Sequence, residues 1–201
     1  MARERKSAED RKAEIVQIAI QLAGELGPDR VTTQALADAV GLSQPAIFRH
    51  FPTKPDIWLA VGQTIARRME MQAAPEPGND PLAVLEALVA RYLGQIMQTP
   101  AIPAILFSRE LHVENEALRR HFETVMTGRR KMFEALIREA QSQGQVEEGS
   151  DKAADLAALV LASIQGLAMR WSLEARGFDL EAEGRRLIGQ LIRGCAGPVV
   201  R

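Results

Sequence analysis

Between Asp38 and Asp56 the chain carries no acidic side chain, although Asp and Glu together make up 26 of its 201 residues. Gln44, Arg49, His50 and Lys54 stand inside that gap, together with Ser43. An amide can exchange paired hydrogen bonds with a base edge, a guanidinium can fork onto guanine or phosphate, and an ammonium group is a point charge for phosphate. Phosphates repel carboxylates, so a surface that meets a polyanion should lack them. The chemistry on offer is recognition.

Bond-breaking chemistry needs a constellation, and the other candidates form none. His50, His112 and His121 have no Glu three residues before them, which removes the Glu-x-x-His pattern of di-iron bundles. Gly189 and Gly194 have P-loop spacing but are followed by Cys195 rather than Lys, and no Gly-x-Gly-x-x-Gly run occurs. Cys195 is the only cysteine, so no intrachain disulfide can form; it reads as an incidental thiol at the end of the last helix. Glu114 and Glu116 flank a helix start and read as solvated, dipole-favoured acids. No catalysis, cofactor or metal is expected.

The elements that must position the recognition residues are helices. Hydrophobic residues make up 46% of the chain but aromatic ones only 4%, and the apolar set is mostly Ala, Leu and Ile. Apart from Pro198, every proline lies at or before Pro103, so short elements should come first and long ones later. Apolar periodicity predicts about nine helices in an all-α fold. The first runs over 9–26, with Ile15, Ile18, Ala19, Leu22 and Leu26 on one stripe, and Gly27-Pro28 ends it. Thr32-Thr33 caps a second helix over 34–40, and Ser43 caps a third over 44–51 with Pro45 in its first turn. Thr53 opens a fourth, with Asp56 as its capping-box partner. After a loop over 73–81, a fifth helix is expected to open at Asp80-Pro81 with Leu82, Leu85, Val89, Tyr92 and Ile96 on its stripe, and further helices at about 103–112, 115–143, 151–175 and 180–193.

The second and third helices fit a helix-turn-helix. Ala37 supplies the small residue at the crossing, Gly41 the turn residue that tolerates positive φ, and Ile47 the branched residue buried between the helices. Spacing alone also allows an ordinary αα-hairpin inside a helical core. The missing acids favour the DNA-reading alternative. Net charge does not: it is −1 overall, and residues 1–56 carry eight bases and eight acids. The arm Arg3, Arg5, Lys6, Arg11 and Lys12 could touch a nucleic-acid backbone, but Glu4, Glu9 and Asp10 are mixed in, as in a solvated terminus.

Over residues 11–60 the sequence resembles the N-terminal region of TetR-type transcriptional regulators. The resemblance is carried by Thr32-Thr33, Gly41-x-Ser43, Phe48-x-His50-Phe51 and the trailing Lys54, with Ile15, Ala19, Leu22 and Gly27 ahead of them. It implies that Thr33, Ser43, His50 and Lys54 contact phosphates. It also implies that Gln44, Pro45, Ala46 and Arg49 face the base edges, with Gln44 on adenine, Arg49 on guanine or phosphate, and Pro45 or Ala46 on a thymine methyl. Phe48 stands where the family usually has tyrosine, so it lacks a hydroxyl for phosphate.

Residues 1–56 are thus expected to form the DNA-binding head and 57–201 a ligand-binding and dimerisation domain. Met97, Phe107, Phe122, Met126 and Trp171 lie on apolar faces and could line a pocket for a small apolar effector, or be plain core. His112, His121 or Arg170 could be its polar anchor. The segments 151–175 and 180–193 are expected to pair two subunits, the alternative being that the first is buried within one subunit. Residues 1–6 have no apolar stretch behind them and do not read as a secretory leader. The apolar run 156–169 is too short to span a bilayer, so a cytoplasmic location is expected. Three readings remain: a repressor released from a palindromic operator by a ligand, a DNA-binding protein of this fold with no small-molecule effector, and a helical enzyme or carrier.

Overall fold

The computed structural model describes residues 7–71, 80–146 and 150–194. Among them are ten α-helices and a single 3-10 turn, with no strand. The helices are α1 (Ala8–Leu26), α2 (Thr33–Val40), α3 (Gln44–Phe48), α4 (Lys54–Met71), α5 (Pro81–Gln98), α6 (Ala101–Leu106), α7 (Arg109–Glu114), α8 (Glu116–Ser142), α9 (Ser150–Leu173) and α10 (Leu180–Gly194); the turn is η1 (Pro28–Arg30). Arg3, Arg5, Lys6, Cys195 and most of the expected loop at 73–81 lie outside the described residues. The chain divides into two compact units, Met1–Arg68 with Pro100–Glu123, and Met69–Thr99 with Thr124–Arg201.

In the first unit, α1 opens with a capping box between Ser7 and Asp10. It buries Ile15, Val16, Ala19, Ile20 and Ala23. The expected stripe is therefore turned about the axis, and Leu26 is 40% exposed. Gly27 (φ 84°) ends the helix and η1 follows. Thr32, not Thr33, caps α2, its hydroxyl accepting from the Ala35 amide at 3.0 Å. At Gly41 the backbone turns left-handed (φ 72°, ψ 40°), a conformation that would strain any residue with a Cβ. Ala37 and Ile47 are then fully buried where α2 and α3 pack. Truncating Ile47 in so closed a site would remove about 2–5 kcal/mol.

Helix α3 is shorter than the expected 44–51. After Phe48 the chain closes one more hydrogen-bonded turn, with the His50 and Phe51 amides donating to the Ile47 carbonyl at 2.9 and 3.0 Å. Phe51 is buried beneath it. Gly62 of α4 faces Leu118 of α8, where an added Cβ would come within 2.6 Å of Leu118 Cδ1.

The single helix expected over 103–112 is two, α6 and α7. Ser108 divides them: its hydroxyl accepts from the Leu111 amide, capping α7, and donates to Asp29 Oδ1 of η1 at 2.6 Å. Asn115 then caps α8 through the Leu118 amide at 3.0 Å and donates from Nδ2 to the Pro55 carbonyl of α4 at 2.8 Å.

The second unit packs α10 against α5 and α9. A glycine permits the close approach of α10 to α5: an added Cβ at Gly184 would collide with Leu93 Cδ1, while at Gly94 only the carboxylate end of Glu181 stands close. Leu85, Leu88, Leu93, Phe133, Ile137 and Leu180 are fully buried. Helix α9 extends well beyond the apolar run 156–169. Residues 152–173 are long and apolar enough to cross a membrane by length and composition, with nearly half of the window buried within the protein. A core helix has that same profile. Its end is closed by the Trp171 indole, which donates to the Phe178 carbonyl at 3.0 Å.

Candidate nucleic-acid interface and effector residues

Helices α2 and α3 present the expected recognition residues as follows. Thr33 sits at the first position of α2, where its backbone amide has no partner within the helix. Ser43 occupies the N-cap position of α3 with extended backbone, yet its hydroxyl makes no capping hydrogen bond. That hydroxyl is exposed. Gln44 is half-buried at the first position of α3, and Pro45 and Arg49 are exposed. Phe48 is 39% exposed, so part of its ring is open to solvent. His50 and Lys54 are half-buried.

Ala46 corrects the sequence reading. It is only 6% exposed and packs inward beside Ile47, so it cannot share an outward face with Gln44, Pro45 and Arg49. At 3.6 residues per turn, adjacent positions point 100° apart. Pro45 and Arg49, four apart, share an exposed face, whereas Ala46 and Ile47 are both buried.

The acids that bound the gap are engaged. Asp38 accepts from the Gln34 amide at 2.6 Å. Asp56 accepts from the Thr53 amide and hydroxyl at 2.9 and 2.7 Å, and the Thr53 hydroxyl accepts from the Asp56 amide at 3.3 Å. This reciprocal box starts α4 and turns the Asp56 carboxylate toward its own helix end.

The expected effector residues are divided between the units. Phe107 and Phe122 belong to the first, where the Phe122 ring lies 5.7 Å from that of His112 and 5.8 Å from that of His121. His112 Nε2 is 2.8 Å from the Leu106 carbonyl, which can only accept, so this nitrogen carries the proton. His112 Nδ1 is then a bare acceptor in the neutral ring; it is buried without a partner, and so is His121 Nε2. Met97, Met126 and Trp171 belong to the second unit. Met97 is partly exposed, Met126 takes a hydrogen bond from Gln165 Nε2 at 3.6 Å, and Trp171 holds the end of α9.

Arg170 is not a spare anchor. It pairs with Glu183 at 2.6 Å and Glu174 at 3.4 Å and lies over the Phe178 ring. The bond to Glu183 is the main reason its pKa is raised. A different arginine was missed. Arg129 of α8 lies 4.6 Å over the Tyr92 ring and donates to Met69 Sδ at 3.1 Å. Burial pushes its pKa down and pushes that of the Tyr92 phenol up. The signal available was its spacing: Met126, Arg129 and Phe133 share one face of a helix.

Residues 15–61 match the sequence model for bacterial regulatory proteins of the tetR family, and residues 81–196 match that for the C-terminal part of BetI-type transcriptional repressors. The nucleoid occlusion factor SlmA of Escherichia coli O1:K1 / APEC is 28% identical over 179 residues, covering 85% of this chain and 87% of that protein. A transcriptional regulator from Saccharomonospora viridis, solved in complex with choline, has a TM-score of 0.83 at 21% identity, covering 94% of this chain and 98% of its own. The regulator FadR of Bacillus subtilis, solved with stearoyl-CoA, has a TM-score of 0.74 at 18% identity, covering 90% and 98%. These two likenesses carry the fold and nothing finer.

Proposed function

The chain belongs to the TetR family of bacterial regulatory proteins and is a helix-turn-helix DNA-binding regulator of transcription; on that premise we propose that it is a homodimeric repressor, released from a palindromic operator by a small, largely apolar ligand. Residues 1–56 serve as the head and 57–201 as the ligand-binding and dimerisation part. The compact unit holding the head also takes in Pro100–Glu123. The protein acts in the cytoplasm, where its DNA lies.

The observation that carries the DNA-contact reading is the outward set Pro45, Phe48 and Arg49, with Gln44 and Lys54 half-exposed beside it, on a surface whose bounding acids are tied up in local hydrogen bonds. Gln44 and Arg49 read base edges, while Pro45 and the Phe48 ring offer apolar contact to a thymine methyl. Thr33, Ser43, His50 and Lys54 hold phosphates and set the register. The unbonded Ser43 hydroxyl and the first-turn amides of α2 suit that role.

Dimerisation through α9 and α10 is supported by the surface of α9. Leu159 and Leu173 are 51% and 78% exposed, and Leu159, Ala162, Gly166, Met169 and Leu173 follow one another at alternating spacings of three and four. That is the spacing of a helix-pairing seam. Paired heads would then read half-sites about one helical turn, or a multiple of it, apart.

Effector binding is supported by His112 Nδ1 and His121 Nε2, buried polar atoms in need of partners beside Phe122. Release requires the ligand to prefer the conformer whose heads are wrongly spaced; a 100-fold preference corresponds to about 2.7 kcal/mol of coupling. The likeness to SlmA, a nucleoid occlusion factor, favours a second reading in which a chromosome-organising protein has no small-molecule effector. Selection of bound sites from random DNA should recover a palindrome. A thermal-shift screen with apolar compounds, followed by operator binding with each hit, separates the two readings: a compound that stabilises the protein without ever weakening operator binding would sink the induction mechanism.

A further inference from the structure

The second unit contains a half-buried cation, Arg129, that forms no ion pair among the described residues. Its guanidinium rests on the Tyr92 ring at 4.6 Å, and Nη2 donates to the thioether of Met69 at 3.1 Å. Glu70 acts on it electrostatically but is exposed and beyond ion-pair distance. Tyr92 cannot supply the missing charge, because burial holds its phenol in the neutral form. A thioether is a weak acceptor. The face of α8 one turn back repeats the pattern, with the Gln165 amide donating to the thioether of Met126 at 3.6 Å.

The guanidinium thus meets only a thioether and a neutral phenol, and the Gln165 amide only a thioether, with no carboxylate at either. They sit among soft and aromatic side chains, since the Phe133 ring lies 6.1 Å from that of Tyr92 and Met69 is buried. A guanidinium in such surroundings is costly unless an anion joins it, and its fork matches a carboxylate. We propose that Arg129, assisted by Tyr92 and Gln165, anchors the carboxylate of an amphipathic monocarboxylate effector whose apolar body lies along Met69, Met126 and Phe133. The proposal rests on the effector-binding reading above and narrows it from any small apolar compound to an apolar acid. A quaternary ammonium such as choline would meet the wrong charge.

The test compares acids with neutral isosteres. A series of fatty acids and naphthoate, each beside its methyl ester, and choline are titrated into the full-length protein by calorimetry, and operator release is followed in parallel. At least one acid should bind about tenfold or more tightly than its ester and weaken operator binding, with choline inert. Arg129→Gln should abolish the preference for the acid while leaving the affinity for the ester in place, and Arg129→Lys should keep part of the preference. Should Arg129→Gln fail to fold, the comparison of acid with ester on the unsubstituted protein still decides. Equal affinity for acid and ester, or an acid preference that survives Arg129→Gln, overturns the proposal. If only esters or choline bind and release DNA, the proposal fails and the effector reading stands. If no compound binds or releases DNA, both fail.

Discussion

Side chains at the recognition surface differ in what they can know about sequence. Lys54 carries a mobile point charge at the start of α4, whereas Gln44 presents a planar amide at the start of α3. A phosphate contact is blind to sequence, and a base-edge contact is not. Lys54→Ala should therefore weaken binding to every DNA and lower the salt slope by about one unit, as measured by titrations over a range of ionic strength. Gln44→Ala should relax preference at one base position by about 1–3 kcal/mol, measured against a set of single-base operator variants. Equal, sequence-independent losses for both would show that Gln44 reads no base. Residue types and their spacing made the exposure of Ser43, Pro45 and Arg49 legible. Ala46 escaped because a small side chain on a five-residue helix gives no periodic signal, and only the packing beside Ile47 decides its direction. Arg129 escaped because an arginine on an apolar helix face looks like a snorkelling surface residue until its neighbours are known.

Among the elements, those with strong local signals were legible within a residue or two: Thr53 and Asp56 at the start of α4, Asp80 and Pro81 at that of α5, Asn115 before α8. The break between α6 and α7 was not, because Ser108 answers to Asp29, far away in sequence. The rotation of the buried stripe on α1 has the same origin. Apolar residues at 15, 16, 18, 19, 20 and 22 cover several faces, and tertiary neighbours choose among them. Asn115 joins two elements in one side chain, capping α8 and bonding the Pro55 carbonyl in the first turn of α4. Asn115→Ala should lower stability by about 1–2 kcal/mol in urea denaturation. Asn115→Asp keeps the cap but cannot donate to Pro55, so it should lose only part of that; no loss in either variant would show that the joint contributes nothing.

At the scale of the whole molecule, the apolar composition of α9 and its 3–4 seam fit the proposed dimer, with one face of the helix in its own unit and the other against a second copy. The sequence pointed to apolar side chains on several sides of α9, and Leu159 and Leu173 are indeed exposed there. Leu159→Arg places a charge in the seam. It should shift the protein toward monomer in sedimentation equilibrium and reduce affinity for a palindromic operator by about tenfold or more, because each head then binds without its twin. Unchanged mass and affinity would move the interface elsewhere.

The capping box at Thr53 and Asp56 has a consequence for a protein that must find one site in a chromosome. With eight acids against eight bases in residues 1–56, the proposed head should attract arbitrary DNA only weakly, while Asp56, beside the proposed contacts, is turned into its own helix. A genome offers on the order of 10⁶–10⁹ decoy sites. A reader that lingers little on decoys stays free to sample, so in the proposed dimer occupancy of the true site would be set by fit and by the joint grip of two heads, not by accumulated charge.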